Sequence, residues 1–100
     1  MNIAELQQRF LAGLDRRLGE LTAALEAMGD AESLMRKFHS LAGIAGTYGY
    51  HRVTDVSREC ELACVTAMEE IRALTDDERG RLRAAIETIR VMAGTAQSLK

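Results

Sequence analysis

The side chains best suited to chemistry in this chain of 100 residues are two histidines, His39 and His51, and two cysteines, Cys60 and Cys64. A neutral imidazole has an ordinary pKa of about 6.5, so its lone pair is available near pH 7. The cysteines are four residues apart, which gives a disulfide poor geometry on one helical face, and two thiols without a nearby histidine do not complete a zinc site. We therefore expect reduced core thiols, and the histidines become the candidates for function.

Several known kinds of site are excluded by the residues present. A di-iron bundle needs paired Glu-x-x-His motifs, and neither histidine has a glutamate three residues before it. Gly43, Gly46 and Gly49 recur every three residues but follow no predicted strand, so they do not form a phosphate-binding loop. The five methionines are interpreted as packing residues, and a narrow bundle offers little room for a small-molecule cleft. These residues therefore offer no di-iron site and no phosphate loop.

Apolar residues repeat at spacings of three or four along the chain, which predicts four amphipathic helices. Gly29 ends the first helix, and Asp30 is placed to cap the second. Gly49 ends the second helix, and Thr75 and Glu78 form a capping box that opens the fourth. The apolar positions are Ile3, Leu6, Phe10, Leu14, Leu18, Leu21, Leu25 and Met28; then Leu34, Phe38, Leu41, Ala45 and Tyr48; then Val53, Val56, Cys60, Ala63, Cys64, Ala67 and Ile71; and finally Leu82, Ala85, Ile86, Ile89 and Met92 or Ala93.

The connections between these helices are short, so neighbouring helices must run antiparallel. No stretch alternates with period two and no hairpin dipeptide such as Asn-Gly appears, which leaves no sign of a sheet. The fold class predicted is all-α, an antiparallel up-down-up-down four-helix bundle, formed as a single domain over residues 1–100. That length is too short for a kinase.

The charge balance argues against several partners. The net charge is −2, which gives no basic excess for nucleic acid. Residues 1–28 are amphipathic and contain acidic groups, so they predict neither a secretory signal nor a membrane span. We expect a cytoplasmic protein that binds neither nucleic acid nor membrane.

The helical wheel places His39 about 130° from the centre of the apolar arc of the second helix, so its imidazole faces solvent. Glycines in a helix interior each cost about 0.5–1 kcal/mol relative to alanine, and two of them lie near His39. Bare backbone beside an imidazole favours a partner protein that approaches closely. On periodicity alone the alternative stays open that His39 is an ordinary surface residue and the glycines admit the neighbouring helix. The side chains and glycines expected on the same exposed surface are Met35, Arg36, Ala42, Gly43 and Gly46.

A longer pattern surrounds this histidine. Residues 38–50 run Phe-His-Ser-Leu-Ala-Gly-Ile-Ala-Gly-Thr-Tyr-Gly-Tyr, and the pattern continues through Val53, Ser57, Cys60 and Glu61. It resembles the signature of the histidine phosphotransfer (HPt) domain of multistep phosphorelays, which has His-x-Leu-Lys-Gly, a turn with glycine, and a following helix with a small residue and Leu-Glu. The resemblance covers residues 38–61, and the four-helix layout extends it to nearly all of the chain.

The resemblance implies that His39 is the phosphorylated nucleophile and that Gly43 lets a receiver domain reach it. His39 would accept a phosphoryl group from an aspartyl phosphate of one receiver and pass it to another. The partners implied are receiver domains of response regulators or of hybrid sensor histidine kinases. The divalent ion is expected on the receiver only, so the chain itself would need no cofactor and no metal of its own. It would be a monomeric phosphoryl carrier without an ATP site, not an enzyme.

One departure concerns the family's usual lysine, which is replaced by Ala42. Arg36 is the first candidate to supply the missing cation, with Lys37 and Arg52 as further candidates. With Arg36, the surface expected to contact the phosphoryl group or the partner comprises Met35, Ala42, Gly43 and Gly46.

Other aromatic and histidine residues are given structural roles. Phe38 and Tyr48 are predicted core anchors on either side of the His39 turn, Tyr50 opens the third helix, and His51 is a surface residue. Two alternatives to phosphotransfer remain: a bundle that docks receivers without carrying phosphate, and a helical dimerisation or scaffold module.

Overall fold

The computed structural model describes residues 2–94, and within them it contains four helices. They are α1 (Ile3–Glu26), α2 (Ala31–Thr47), α3 (His51–Glu69) and α4 (Asp76–Ala93). Both α1 and α3 pack against α2 and α4, in a rod of 45 × 20 × 18 Å. The predicted four-helix bundle is confirmed. The predicted domain bounds include residues 1 and 95–100, which lie outside the described residues, so the single-domain assignment stays a prediction.

Both predicted helix caps are present. The Asp30 carboxylate accepts a hydrogen bond from the Ser33 backbone N–H at 2.8 Å. Thr75 and Glu78 bond reciprocally. The Glu78 N–H donates to the Thr75 hydroxyl at 3.0 Å, and the Thr75 N–H donates to the Glu78 carboxylate at 2.8 Å. Arg72 also donates to Glu78, and the two interactions lower the pKa of Glu78 to about 2. The α3–α4 connection is therefore fixed by an ion pair as well as by the capping box.

The core contains most of the apolar positions that the period selects. Cys60 and Cys64 are free and buried, and burial raises the pKa of Cys60 to about 12 and that of Cys64 to about 11. These thiols are packing groups, as expected. The buried hydrophobic residues are Phe10, Leu14, Leu18, Leu21, Leu25, Ala31, Leu34, Phe38, Leu41, Ala42, Ala45, Tyr50, Val53, Cys60, Cys64, Ala67, Leu74, Leu82, Ile86 and Ile89.

Tyr50 directly precedes α3, as predicted, and the two tyrosines differ in their burial. Tyr48 is 39% exposed, whereas Tyr50 is 1% exposed. The α2 helix ends in a Schellman motif, in which Gly49 takes a left-handed φ of 78° and the Tyr50 N–H bonds to the Ala45 carbonyl at 2.9 Å. This turn folds Tyr50 back onto the core, where its ring stacks on Phe10 at 4.3 Å. The prediction of Tyr48 as a core anchor is wrong, because the helical period does not continue through the turn.

The α1 and α3 helices end in the same motif with side chains at the left-handed position. Met28 has φ 57° and Ile71 has φ 50°, and they are 64% and 92% exposed. The apolar spacing therefore includes Met28 and Ile71 wrongly, because both lie past the helix ends on the surface. Gly29 follows the left-handed residue instead of supplying it, and a Cβ there would lie 2.9 Å from the Ala24 carbonyl oxygen.

A buried arginine that the sequence pattern did not reveal joins α4 to the α1–α2 connection. Arg79 is 6% exposed and donates from Nη2 to the Gly29 carbonyl at 2.8 Å. The first turn of α4 is thereby bonded to the α1–α2 connection. Within residues 2–94, no helix has both the length and the apolar character needed to cross a membrane.

Replacing Ile71 with glycine should raise the free energy of unfolding by about 1 kcal/mol, because a left-handed conformation costs an L side chain about 1–2 kcal/mol. Urea denaturation followed by circular dichroism measures the change. The control is Ala84→Gly at an exposed helical position, which should lower the stability by about 1 kcal/mol. Loss of stability in both variants would contradict the assignment of strain to Ile71.

Candidate functional site

His39 lies at the middle of α2 with its side chain 67% exposed. Phe38 and Leu41, on either side of it in sequence, are fully buried and fix the rotation of the helix. The imidazole therefore faces solvent, as the helical wheel predicts.

The imidazole has a partner on the neighbouring helix. His39 Nδ1 lies 2.7 Å from the Oε2 of Glu61 on α3, whose side chain is only 19% exposed. A carboxylate accepts hydrogen bonds, so in the neutral ring Nδ1 donates and the lone pair is on Nε2. The arrangement thus presents an exposed imidazole with a defined tautomer and orientation.

Glu61 belongs to the sequence pattern around His39, but its bond to the imidazole was not foreseen. The signal that could have found it is the symmetry of an antiparallel hairpin about its turn. His39 and Glu61 are eleven residues before and after Tyr50. In the same register, Gly46 and Thr54 are four residues before and after Tyr50, and a Cβ at Gly46 would lie 3.6 Å from the Thr54 hydroxyl. Residues at equal distances from the turn meet across α2 and α3.

The two glycines near His39 are exposed, and the bundle does not require either of them. A Cβ at Gly43 would meet nothing within 4 Å, and one at Gly46 would make an ordinary contact of 3.6 Å with the Thr54 hydroxyl. The alternative that these glycines admit the neighbouring helix does not hold for Gly43. Its bare backbone lies one turn from His39 and faces open space.

Two predicted members of this surface are less exposed than expected. Ala42 is 1% exposed, so its placement on the exposed surface is wrong. Met35 is half-buried and packs against the core, so it contributes only part of its side chain to the surface. The reason is that α2 packs against both α1 and α3, which makes its buried arc wider than a single apolar stripe.

The candidate cations occupy different positions along α2 and α3. Arg36 is one turn before His39 and donates to Glu32 at 2.7 Å. This bond draws the guanidinium toward the N-terminus of α2, and Gly43 lies on the C-terminal side of His39. Arg52 precedes Glu61 by nine residues, about 13 Å along α3 at 1.5 Å per residue.

Lys37 and His51 lie away from the exposed imidazole face of α2. Lys37 is half-buried and lines a groove between α1 and α2. The role of Arg36, Lys37 or Arg52 as the replacement cation stays a prediction. His51 is exposed at the start of α3, as expected.

The described residues gather no set of three or more histidine, cysteine, aspartate or glutamate side chains that could hold a metal ion. The chemistry available at the site is that of one oriented imidazole with a carboxylate behind it. An exposed nucleophile of this kind, beside a patch of bare helix backbone, suits group transfer with a macromolecular partner.

Comparisons with known proteins identify one relationship. The family model for the Hpt domain matches residues 5–91 of the 100-residue chain. No significant match is found among curated proteins or among solved structures. The matched range spans most of α1, all of α2 and α3, and most of α4, and it includes both His39 and Glu61.

Replacing Gly43 with alanine should raise the free energy of unfolding by about 0.5–1 kcal/mol, because the new methyl group meets nothing and the helix gains propensity. Thermal and urea unfolding measure the change. Gly29→Ala is the contrasting variant and should lower stability, because its Cβ would collide with the Ala24 carbonyl oxygen. A destabilised Gly43→Ala protein would show that the bundle itself requires that glycine.

Proposed function

This chain belongs to the Hpt domain family, and we propose that His39 is its phosphoryl carrier, exchanging the group with aspartates of receiver domains. The observation that supports this assignment is the bond from His39 Nδ1 to Glu61 at 2.7 Å. It orients an exposed imidazole and leaves Nε2 with its lone pair. His51, the other histidine, has no place in the family pattern.

In the forward step, the lone pair of His39 Nε2 attacks the phosphorus of a receiver's aspartyl phosphate. The new bond joins phosphorus to Nε2, and the bond between phosphorus and the aspartate oxygen breaks, with its electron pair leaving on the carboxylate. The ring becomes positively charged as the bond forms. Glu61 stabilises that charge through the Nδ1 hydrogen bond, and the reverse sequence delivers the phosphoryl group to a second receiver.

This step draws on the partner for much of its charge neutralisation. The receiver's acidic pocket and its divalent ion would position the phosphoryl group, and the carrier contributes the nucleophile and its orientation. The transfer uses no nucleotide on this chain. We therefore assign the chain a carrier role without kinase activity, acting as a monomer in the cytoplasm, where receiver domains operate.

A second candidate is a receiver-docking module that does not carry phosphate. Its support is Ala42, which occupies the place of the family's usual lysine and is buried at 1% exposure. Retained receiver binding by a protein that cannot be labelled would select this alternative.

Phosphorylated receiver domains should label the wild-type protein but not His39→Gln, because the amide is not a nucleophile toward phosphorus. Receiver domains from the source genome would be charged with radiolabelled phosphate and mixed with the carrier, and the label on the carrier should be acid-labile. His51→Gln is the matched control and should be labelled like the wild type. Equal labelling of the wild type and His39→Gln would contradict the assignment of His39 as the phosphoryl carrier.

Removing the carboxylate in Glu61→Ala should slow phosphoryl transfer by roughly tenfold or more, because losing the carboxylate that orients a metal-bound histidine typically costs 10–100-fold in activity, and Glu61 orients His39 in the same way. The transfer rate of Glu61→Gln should lie between those of the wild type and Glu61→Ala, since its amide oxygen still accepts a hydrogen bond from Nδ1. Nitrogen-15 NMR of the imidazole gives a readout independent of rate, with the Nδ1–H form prevailing in the wild type and falling in Glu61→Ala.

The control for this comparison is Glu69→Ala, which removes an exposed carboxylate from the last turn of α3. It should leave both the transfer rate and the imidazole tautomer unchanged. A Glu61→Ala protein with wild-type rate and tautomer would show that the carboxylate does not orient His39.

A further inference from the structure

Arg17 on α1 is bonded to the residue that follows the carrier histidine. It is half-buried, lines the groove between α1 and α2, and donates from Nη1 to the Ser40 hydroxyl at 3.2 Å. The Cα atoms of His39 and Ser40 are about 3.8 Å apart, because the two residues are consecutive. The structure therefore holds a guanidinium next to His39 on the side of α2 that faces α1.

The charge of Arg17 is not neutralised by a carboxylate. Glu20 lies 3.8 Å from Arg16, and Glu32 lies 2.7 Å from Arg36, so the nearby acidic groups are paired with other arginines. Among the described residues Arg17 forms no ion pair, and its side-chain bond there is to a neutral hydroxyl. A guanidinium has five N–H donors, so Arg17 keeps donors for an incoming anion.

The bond to Glu61 directs the reactive nitrogen of His39 away from α3. Nδ1 faces Glu61, and Nε2 is on the other side of the ring. At about 100° per residue, Gly43 falls between His39 and Ser40 on the helical wheel, about 40° from the first and about 60° from the second. A Cβ at Gly43 would meet nothing within 4 Å, so the space between the imidazole and the guanidinium of Arg17 is open on this side.

A phosphoryl group on Nε2 brings negative charge into this space. A phosphorylated side chain carries a charge of about −1.5 to −2 at pH 7 and has three strong acceptor oxygens. Glu61, which supports the other ring nitrogen, is itself a carboxylate and offers no donor. A guanidinium matches two oxygens of a phosphoryl group at once, and its charge-assisted bonds are roughly twice as strong as neutral ones.

We propose that Arg17 binds the phosphoryl group on His39, moving its guanidinium from the Ser40 hydroxyl to the phosphoryl oxygens. The inference rests on the proposed function, because it concerns the phosphorylated form of the same histidine. The exchange breaks one neutral hydrogen bond and no ion pair. The carrier thus neutralises part of the phosphoryl charge itself, from a second helix, in the interval when no receiver is bound.

Titration of the phosphoryl group tests this contact without a receiver. Phosphoramidate would phosphorylate His39 in the His51→Gln protein, transferring its phosphoryl group to Nε2 and releasing ammonia. The phosphorus-31 chemical shift is then followed against pH. A nearby guanidinium favours the doubly charged phosphoryl group and lowers its pKa, so Arg17→Gln should raise the titration midpoint by about one pH unit. Arg17→Lys keeps the charge and should recover much of the difference.

The matched control is Arg16→Gln in the same background. Arg16 is the neighbouring arginine, 67% exposed and paired with Glu20, and its removal should leave the midpoint unchanged. The inference is overturned if Arg17→Gln titrates like Arg16→Gln, or if Arg36→Gln raises the midpoint more than Arg17→Gln does.

The nitrogen-15 resonance of the Arg17 side chain gives a second readout in the parent protein. It should shift when His39 is phosphorylated, and an unchanged resonance would also overturn the inference. Circular dichroism checks that each variant is folded. Failure of the proposed function appears separately, as a phosphorylated carrier that passes its label to no receiver aspartate.

Discussion

The hydrogen bond from His39 Nδ1 to Glu61 Oε2 is the interaction on which the site depends, and the α2–α3 hairpin must keep its register for the bond to form. The Schellman turn at Gly49 sets that register, and the Tyr50 ring, stacked on Phe10, holds the turn against α1. A shift of one residue along either helix would rotate one partner by about 100° and separate the two groups. The orientation of one imidazole thus rests on a turn some eleven residues away in sequence.

The site itself is small because the proposed chemistry is divided between two proteins. The carrier needs an exposed nucleophile, a partner for its second nitrogen and backbone that another domain can approach. His39, Glu61 and Gly43 provide these three features. Glycine at position 43 sacrifices helix propensity without relieving any clash within the bundle, which is the pattern expected when a surface is shaped for contact with a partner.

Local patterns predicted the four helices, both side-chain caps and the outward face of His39, because these features depend on residues three or four apart. The failures have a common cause in the geometry of turns and of paired helices. Tyr48 is exposed because the helical period ends at the Schellman turn, and Ala42 is buried because α2 has neighbours on two sides. Glu61 lies in the sequence pattern, but its contact with His39 follows only from the hairpin register.

The central claim is that His39 Nε2, whose lone pair is oriented by the bond to Glu61, carries the phosphoryl group. It is tested most directly by NMR of the phosphorylated protein with nitrogen-15 in its histidine rings, where coupling to phosphorus-31 identifies the bonded atom. The account predicts coupling to Nε2 of His39, with Nδ1 still protonated and bonded to Glu61. Coupling to Nδ1 of His39, or to either nitrogen of His51, would contradict it.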